Sequence, residues 1–168
     1  MSILEYRVEL LGTHHDRSTF SCGHETLDRY LRQQARQDTA KRVAQDFVLI
    51  HISTSRLAGF YSLSAFSVRA AEFPVEMTRR LPRYPRIPTT MLGRLAVDRQ
   101  FRGQGLGGIL LLDALRRSRD VSRTVASVAV IVDAKDDSAR SFYEHFEFKR
   151  FVSDEYRLFL AMGSIEDL

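Results

Sequence analysis

Glycine fills four of the last six places of FRGQGLGG, residues 101–108. An ordered glycine gives up more backbone freedom than any other residue. A cluster of them is kept where the chain needs left-handed backbone or close approach by another group. The flanks narrow the choice. Thr89 to Val97, ending in MLGRLAV, reads as a strand, with Gly93 as the sign of a bulge or close approach. Leu106 to Arg117 reads as a helix, carrying Ile109, Leu110 and Ala114. A glycine-rich turn between strand and helix presents bare N–H groups at a helix start. There they carry partial positive charge and can hold an anion.

Three cradles of this kind differ in detail. A Walker phosphate loop needs Gly-Lys followed by Ser or Thr, and residues 101–108 hold no lysine. Gly103, Gly105 and Gly108 spell G-x-G-x-x-G, but in the dinucleotide fingerprint the first glycine follows its strand directly. Here Asp98, Arg99, Gln100, Phe101 and Arg102 intervene. About 60 residues follow the loop, too few for the second half of a doubly wound fold. The third is an acyl-CoA loop, Arg/Gln-x-x-Gly-x-Gly/Ala, which Arg102 to Gly107 fits. Glycine at 103, 105 and 107 lets a pyrophosphate approach the main chain, and Arg102 adds charge. A plain glycine-rich turn is the bland alternative.

The remaining chain alternates strand and helix. Tyr6 to Leu11 reads as a strand. His24 to Arg42 reads as a helix, because Leu27, Tyr30, Leu31 and Ala35 recur at three- and four-residue spacing, with Arg29, Arg32, Arg36 and Arg42 off that stripe. Phe47 to Ile52 and Leu57 to Val68 suggest a hairpin. Phe73 to Pro88 holds all four prolines, with a short helical turn over 75–80 and then an extended loop. The apolar run Val125 to Val132 reads as a central buried strand. Asp136 to Phe146 reads as a helix with Asp136 or Asp137 as N-cap. Phe148 to Val152 and Tyr156 to Met162 complete the strands. The expectation is an α/β fold on one central mixed sheet, and a single domain over 1–168, since domains commonly run to about 100–200 residues.

Composition adds limits. No apolar run reaches the roughly 18 residues of a membrane helix. The start, MSILEYRVELL, has no basic region ahead of an apolar stretch, so no secretory signal is expected. Cys22 is the single cysteine, which rules out an internal disulfide and fits a cytoplasmic location. The net charge is +4, and of the 25 basic residues only Lys41, Lys135 and Lys149 are lysines. Arginine's planar fork suits phosphate oxygens. The base composition of a GC-rich genome with solvated faces, and an anionic partner, are both open readings.

Taken together, LGRLAVDRQFRGQGLG, VDA at 132–134 and SFYEHFEF at 141–148 resemble the GNAT acetyltransferases over nearly the whole chain. A narrower similarity is to the toxin branch of that superfamily, whose members acetylate the amino acid on charged tRNA. It rests on FSCGHETLDRYLRQQARQD at 20–38, GFYSLSA at 59–65, LPRYPRIPTTMLGRLAV at 81–97 and FYEHFEF at 142–148. The resemblance implies a sheet that splays after the strand holding Leu95, Ala96 and Val97. Acetyl-CoA would then contact those residues and Arg102, Gly103, Gln104, Gly105, Leu106, Gly107 and Gly108. It implies Tyr143 as the catalytic residue, its hydroxyl meeting the sulfur of the leaving thiolate. It implies no metal, a homodimer, a ribbon-helix-helix antitoxin, and contact with operator DNA only through that antitoxin. One departure is Glu147, where the family usually has glycine; a left-handed residue there would be strained.

Elementary acid–base chemistry bears on the acceptor. Holding a lysine amine neutral at pH 7 costs about 4–5 kcal/mol, whereas an α-amine of pKa about 7.7–8.0 costs about 1–1.4 kcal/mol. An α-amine beside an ester is easier still and hardly needs a strong base. His145 is the nearest candidate base, but two residues from Tyr143 it faces another side of its helix. A phenol of pKa about 10 is a poor acid toward a thiolate of about 8.5, so Tyr143 serves by hydrogen bonding as much as by proton transfer. For an RNA acceptor, Arg79, Arg80, Arg86, Arg94 and Arg36 are the candidate phosphate contacts. The expected function is acetylation of the α-amine of aminoacyl-tRNA; the alternative is an acetyltransferase acting on a protein N-terminus or a small amine.

Overall fold

The computed structural model describes residues 5–166 and Leu168. Residues 1–4 of the stretch read for a secretory signal lie outside them, as does residue 167 of the expected domain. The elements run β1 (Tyr6–Leu10), α1 (Glu25–Arg29), a π-helical turn (Tyr30–Gln34), α2 (Ala35–Lys41), β2 (Gln45–His51) and β3 (Arg56–Arg69). They continue as α3 (Val75–Thr78), β4 (Arg86–Val97), α4 (Leu106–Ser122), β5 (Ala129–Asp133), α5 (Asp137–His145), β6 (Lys149–Arg150), β7 (Arg157–Ala161) and α6 (Met162–Ile165). The strands form a mixed sheet in the order β1-β2-β3-β4-β5-β7-β6. Pairing is antiparallel for β1 with β2, β2 with β3, and β7 with both β5 and β6; β4 and β5 are parallel. Among the described residues no helix is long and apolar enough to cross a membrane.

Contacts divide the chain into two compact units, and β3 and β4 each pass from one into the other. The first unit takes the residues up to Ser64 together with Gly93–Ala114. Its core gathers Leu11, Phe20, Leu31, Val48, Ile50 and Phe60. Phe20 meets Phe60 edge-on at 5.6 Å, and Tyr30 stacks on Phe60 at 6.2 Å. The expected hairpin is β2 and β3, in register from Gln45↔Leu63 to His51↔Arg56 with one shift at Leu49/Ile50. The expected first helix also forms and buries Tyr30, Leu31 and Ala35 as its spacing requires, but its middle is a π turn. Apolar spacing alone does not distinguish a π turn from continuous α-helix.

The second unit takes Ala65–Leu92 and the chain from Leu115 onward. Phe73 packs on Phe151 at 5.0 Å and on Phe159 at 5.2 Å, within a core that includes Val68, Ile87 and Ile131. The parallel ladder of β4 with β5 runs from Thr90↔Val130 to Leu92↔Val132.

Three expectations need correction. β5 starts at Ala129, not Val125, because α4 runs on to Ser122 and the N–H groups of Thr124 and Val125 fold back onto the Val121 carbonyl. Val125 is left 66% exposed. β4 starts at Arg86, so Arg86 and Pro88 lie on a strand and not in a loop. β6 is two residues long, although Phe148 and Phe151 on either side are buried.

Candidate active site

In the first unit, β4 ends at Val97 and a 3-10 turn, Arg99–Phe101, leads toward α4. Asp98 caps that turn, its Oδ1 accepting from the Gln100 N–H at 2.9 Å. Gly103 and Gly105 then take φ of +80° and +73°. A Cβ added at either would meet nothing within 4 Å. Glycine is therefore required here by left-handed backbone and not by crowding, and the space above both residues is open. The Ile109 N–H bonds back to the Gly105 carbonyl at 3.3 Å. The N–H groups of Leu106, Gly107 and Gly108 thus precede the first closed turn of α4 and are its orphan donors. Bare donors, a helix dipole and open space together make an anion cradle.

The loop is fastened to the segment ahead of α1. The Ser21 N–H donates to Asp98 Oδ2 at 3.0 Å, and the Arg99 N–H donates to the Ser21 carbonyl at 2.8 Å. Arg102, expected to bring charge to the cradle, donates through its guanidinium to the Cys22 carbonyl. Its charge stays at the loop, but the arm is anchored. Gln104 Oε1 accepts from the Tyr6 hydroxyl at 2.7 Å. Gly59 on β3 has no room for a side chain, since a Cβ would lie 2.8 Å from both the Ala96 carbonyl and Leu110 Cδ1. Apart from Gly59, these supports are not legible in the local sequence. For Gly59 the signal was a glycine inside a strand pattern; Ser21, Asp98 and Tyr6 gave no signal, their partners lying 77 and 98 positions away.

In the second unit, Tyr143 lies on α5, whose N-cap is Asp136, accepting from the Ala139 N–H at 2.8 Å. The Tyr143 ring is buried and meets Phe142 edge-on at 5.2 Å and Phe148 at 5.4 Å. Among the described residues its hydroxyl has no hydrogen-bond partner. Burial pushes the phenol above its ordinary pKa, because the anion loses hydration. That makes it a weaker acid and a neutral hydrogen-bond donor. His145, two residues on, is exposed on another face of the helix.

The candidate phosphate contacts fall into two groups. Arg79 and Arg80 follow α3, exposed and with no side-chain partner among the described residues. The other three have partners within the fold. Arg86 donates to Ser67 Oγ at 3.4 Å, and Arg36 to the Leu11 carbonyl at 3.4 Å. The Arg94 guanidinium sits 3.4 Å above the Tyr30 ring. The Tyr30 hydroxyl donates to Asp46, 3.0 Å from both carboxylate oxygens, and Thr39 donates to Asp46 Oδ2 at 3.0 Å. Asp46 is fully buried. Burial lifts its carboxyl to about 6, against the pull of those hydrogen bonds and of the Arg94 charge.

Glu9, His14 and His15 form a group with metal-ligand side chains. His15 Nδ1 accepts from the Gly12 N–H at 2.9 Å, which places the ring proton on Nε2, 2.5 Å from Glu9 Oε1. With that tautomer, His15 directs a donor, not a lone pair, into the cluster.

Residues 48–150 match the family described as the acetyltransferase (GNAT) domain. A tRNA-acetylating toxin of Mycobacterium tuberculosis (strain ATCC 25618 / H37Rv) is 37% identical over 147 residues, covering 88% of this chain and 86% of that protein. The solved structure of AtaT complexed with acetyl-methionyl-tRNAfMet aligns with a TM-score of 0.89 at 28% identity, over 96% of this chain and 97% of that one. A mutant AtaT toxin bound to the C-terminus of the antitoxin AtaR and acetyl-CoA aligns with a TM-score of 0.81 at 25% identity, over 96% of each chain. With a family match across more than half its length, and a relative of this identity across nearly all of it, the chain belongs to the GNAT acetyltransferases.

Proposed function

We propose that this protein transfers the acetyl group of acetyl-CoA to the α-amine of aminoacyl-tRNA and so blocks translation, as a toxin restrained by an antitoxin. The observation that carries the reading is the cradle: two left-handed glycines under open space, opening directly into the orphan N–H groups of α4. Similarity to a tRNA-acetylating toxin over most of the chain gives the acceptor.

In this reading the main chain of Leu106, Gly107 and Gly108 holds the coenzyme's pyrophosphate, with Gly103 and Gly105 granting the approach. Arg102 and Gln104 keep the loop in place through Cys22 and Tyr6. Leu95, Ala96 and Val97 contact the donor through the backbone of β4, and N–H groups there polarise the thioester carbonyl. The α-amine forms the new C–N bond, the C–S bond breaks, and the amine's proton passes to solvent. Tyr143 donates a hydrogen bond to the departing sulfur, a role that suits a phenol too weak to surrender its proton. Arg79 and Arg80, with Arg86, Arg94 and Arg36, contact phosphates of the acceptor. The chain works as one domain in the cytoplasm, as a homodimer, with no metal. A ribbon-helix-helix antitoxin supplies its contacts with operator DNA.

The test is to incubate charged total tRNA with the protein and labelled acetyl-CoA, and to identify the labelled species. Label on the α-amine of an aminoacyl-tRNA supports the reading, with a rate falling steeply as salt rises. Label only on small amines or protein N-termini, with little salt dependence, overturns it.

A further inference from the structure

Between α3 and β4 the second unit carries a groove of about 440 Å³, lined in part by Arg79, Leu81, Pro82, Arg83, Tyr84 and Pro85. Tyr84 is 65% exposed, and among the described residues its ring meets no other ring and no cation. A single exposed aromatic is ordinary; its mounting is less so. The Leu81 N–H bonds to the Thr78 carbonyl at 2.9 Å, the Tyr84 N–H to the Pro82 carbonyl at 3.0 Å, and the Ala70 N–H to the Pro85 carbonyl at 3.2 Å. Pro82 and Pro85 fix their own φ angles. The ring is thus presented on a stiffened frame, and little ordering remains to be done when something settles on it.

Charge in the groove points to the occupant. Several arginines elsewhere in the chain find carboxylates: Arg7 pairs with Glu9, Arg150 with Glu144, Arg157 with Asp133. Arg79 and Arg83 have no such partner among the described residues. The groove therefore combines an uncovered aromatic face, an apolar floor from Leu81 and the prolines, and two unneutralised guanidinium groups. A phosphopeptide would use the guanidinium groups and leave the ring idle. A duplex would offer phosphates but keep its base faces covered. An unpaired nucleotide uses the ring and the guanidinium groups together, with its base on the ring and its phosphates on the arginines.

We propose that this groove seats an unpaired nucleotide of the RNA substrate, its base stacked on Tyr84 and its phosphates held by Arg79 and Arg83. The inference rests on the reading that the acceptor is an aminoacyl-tRNA, and it names the part of that substrate the second unit grips.

Direct binding tests it without any acetyl transfer. Three fluorescent probes are titrated at fixed salt: a single-stranded ribotetranucleotide, an abasic counterpart with the same phosphates, and a doubly phosphorylated peptide. The wild-type protein is expected to bind the tetranucleotide about tenfold more tightly than the abasic probe. Tyr84→Ala erases that difference, and Tyr84→Phe, which keeps the ring, restores it. Arg79→Gln with Arg83→Gln weakens both RNA probes and flattens their salt dependence. Tetranucleotide binding unchanged in Tyr84→Ala overturns the proposal, as does a phosphopeptide bound as tightly as the tetranucleotide. Acetylation assays separate the two readings. If charged tRNA is acetylated with the same KM by wild type and Tyr84→Ala, the groove assignment falls and the function stands. If no charged tRNA is acetylated while the ring-dependent binding holds, the function falls and the groove stands.

Discussion

Phe148 donates its backbone N–H to the carbonyl of Tyr143 at 3.2 Å, while between them Glu147 donates to Glu144 at 3.0 Å. The two bonds end α5 as a Schellman motif, with Glu147 at the left-handed position, φ +71°. The turn after Tyr143 therefore keeps the hydrogen bonding that glycine would give it, and the departure from the family pattern is stored as strain in Glu147. The same motif brings the Phe148 ring against Tyr143.

Replacing Glu147 with glycine should stabilise the protein. A left-handed conformation costs a residue with a Cβ about 1–2 kcal/mol, partly offset by glycine's greater freedom when unfolded. A net gain of about 1 kcal/mol corresponds to a Tm about 2–4 °C higher for a chain of this size. Calorimetry of Glu147→Gly reads this directly. An unchanged or lower Tm would mean the glutamate is not strained.

That strain was legible in the sequence because one residue stood where a conformation demanded another. The same holds for Gly103 and Gly105, whose positive φ follows from their place between strand and helix, and for Asp136, which caps α5 where an aspartate precedes an amphipathic run. Wherever the deciding partner was distant, the sequence was silent. Nothing in Val125 to Val128 says that α4 will overrun to Ser122 and take those residues out of the strand. Nothing near Asp98 points to Ser21. Nothing near Arg94, a candidate phosphate contact by sequence, points to Tyr30, the ring on another element that its guanidinium covers.

At Gly105 the prediction concerns binding. Valine at φ +73° is a β-branched residue in a region such residues avoid, so the loop must turn to relieve it. Turning it re-aims the donors of Leu106 and Gly107. Gly105→Val should weaken acetyl-CoA binding at least about tenfold by titration calorimetry, with Gly105→Ala between it and wild type. Full affinity in the valine variant would remove the cradle from the coenzyme's site.

Tyr143→Phe should lower kcat by roughly a hundredfold or more, the usual scale for a lost proton-transfer or hydrogen-bonding group, and leave acetyl-CoA affinity in place. Because burial holds this phenol protonated, its ionisation should not cut the rate anywhere below pH 10. A rate that fell between pH 8 and 10 in wild type but not in a phenylalanine variant of residual activity would contradict that.

Neutralising Arg79 and Arg80 together, as Arg79→Gln with Arg80→Gln, should raise the KM for charged tRNA several-fold and reduce the salt slope of the reaction by about two. The KM for acetyl-CoA should stay where it is. Equal loss for both substrates would indicate damage to the fold.

The most specific prediction comes from Asp46, buried beneath Tyr30 and Thr39 with its carboxyl lifted to about 6. A folded-state pKa above the unfolded value of about 3.9 means that the folded protein binds this proton more tightly. The stability it contributes is therefore complete below about pH 4 and lost as pH rises through 6, an effect on the order of 3 kcal/mol. Asparagine cannot ionise, yet its Oδ1 can still accept from Tyr30 and its Nδ2 can donate to Thr39. Relative to wild type, Asp46→Asn should gain stability between pH 4 and pH 7. Urea unfolding of both proteins at the two pH values measures the difference. A gap between variant and wild type that does not change with pH would show that Asp46 ionises as freely in the fold as outside it.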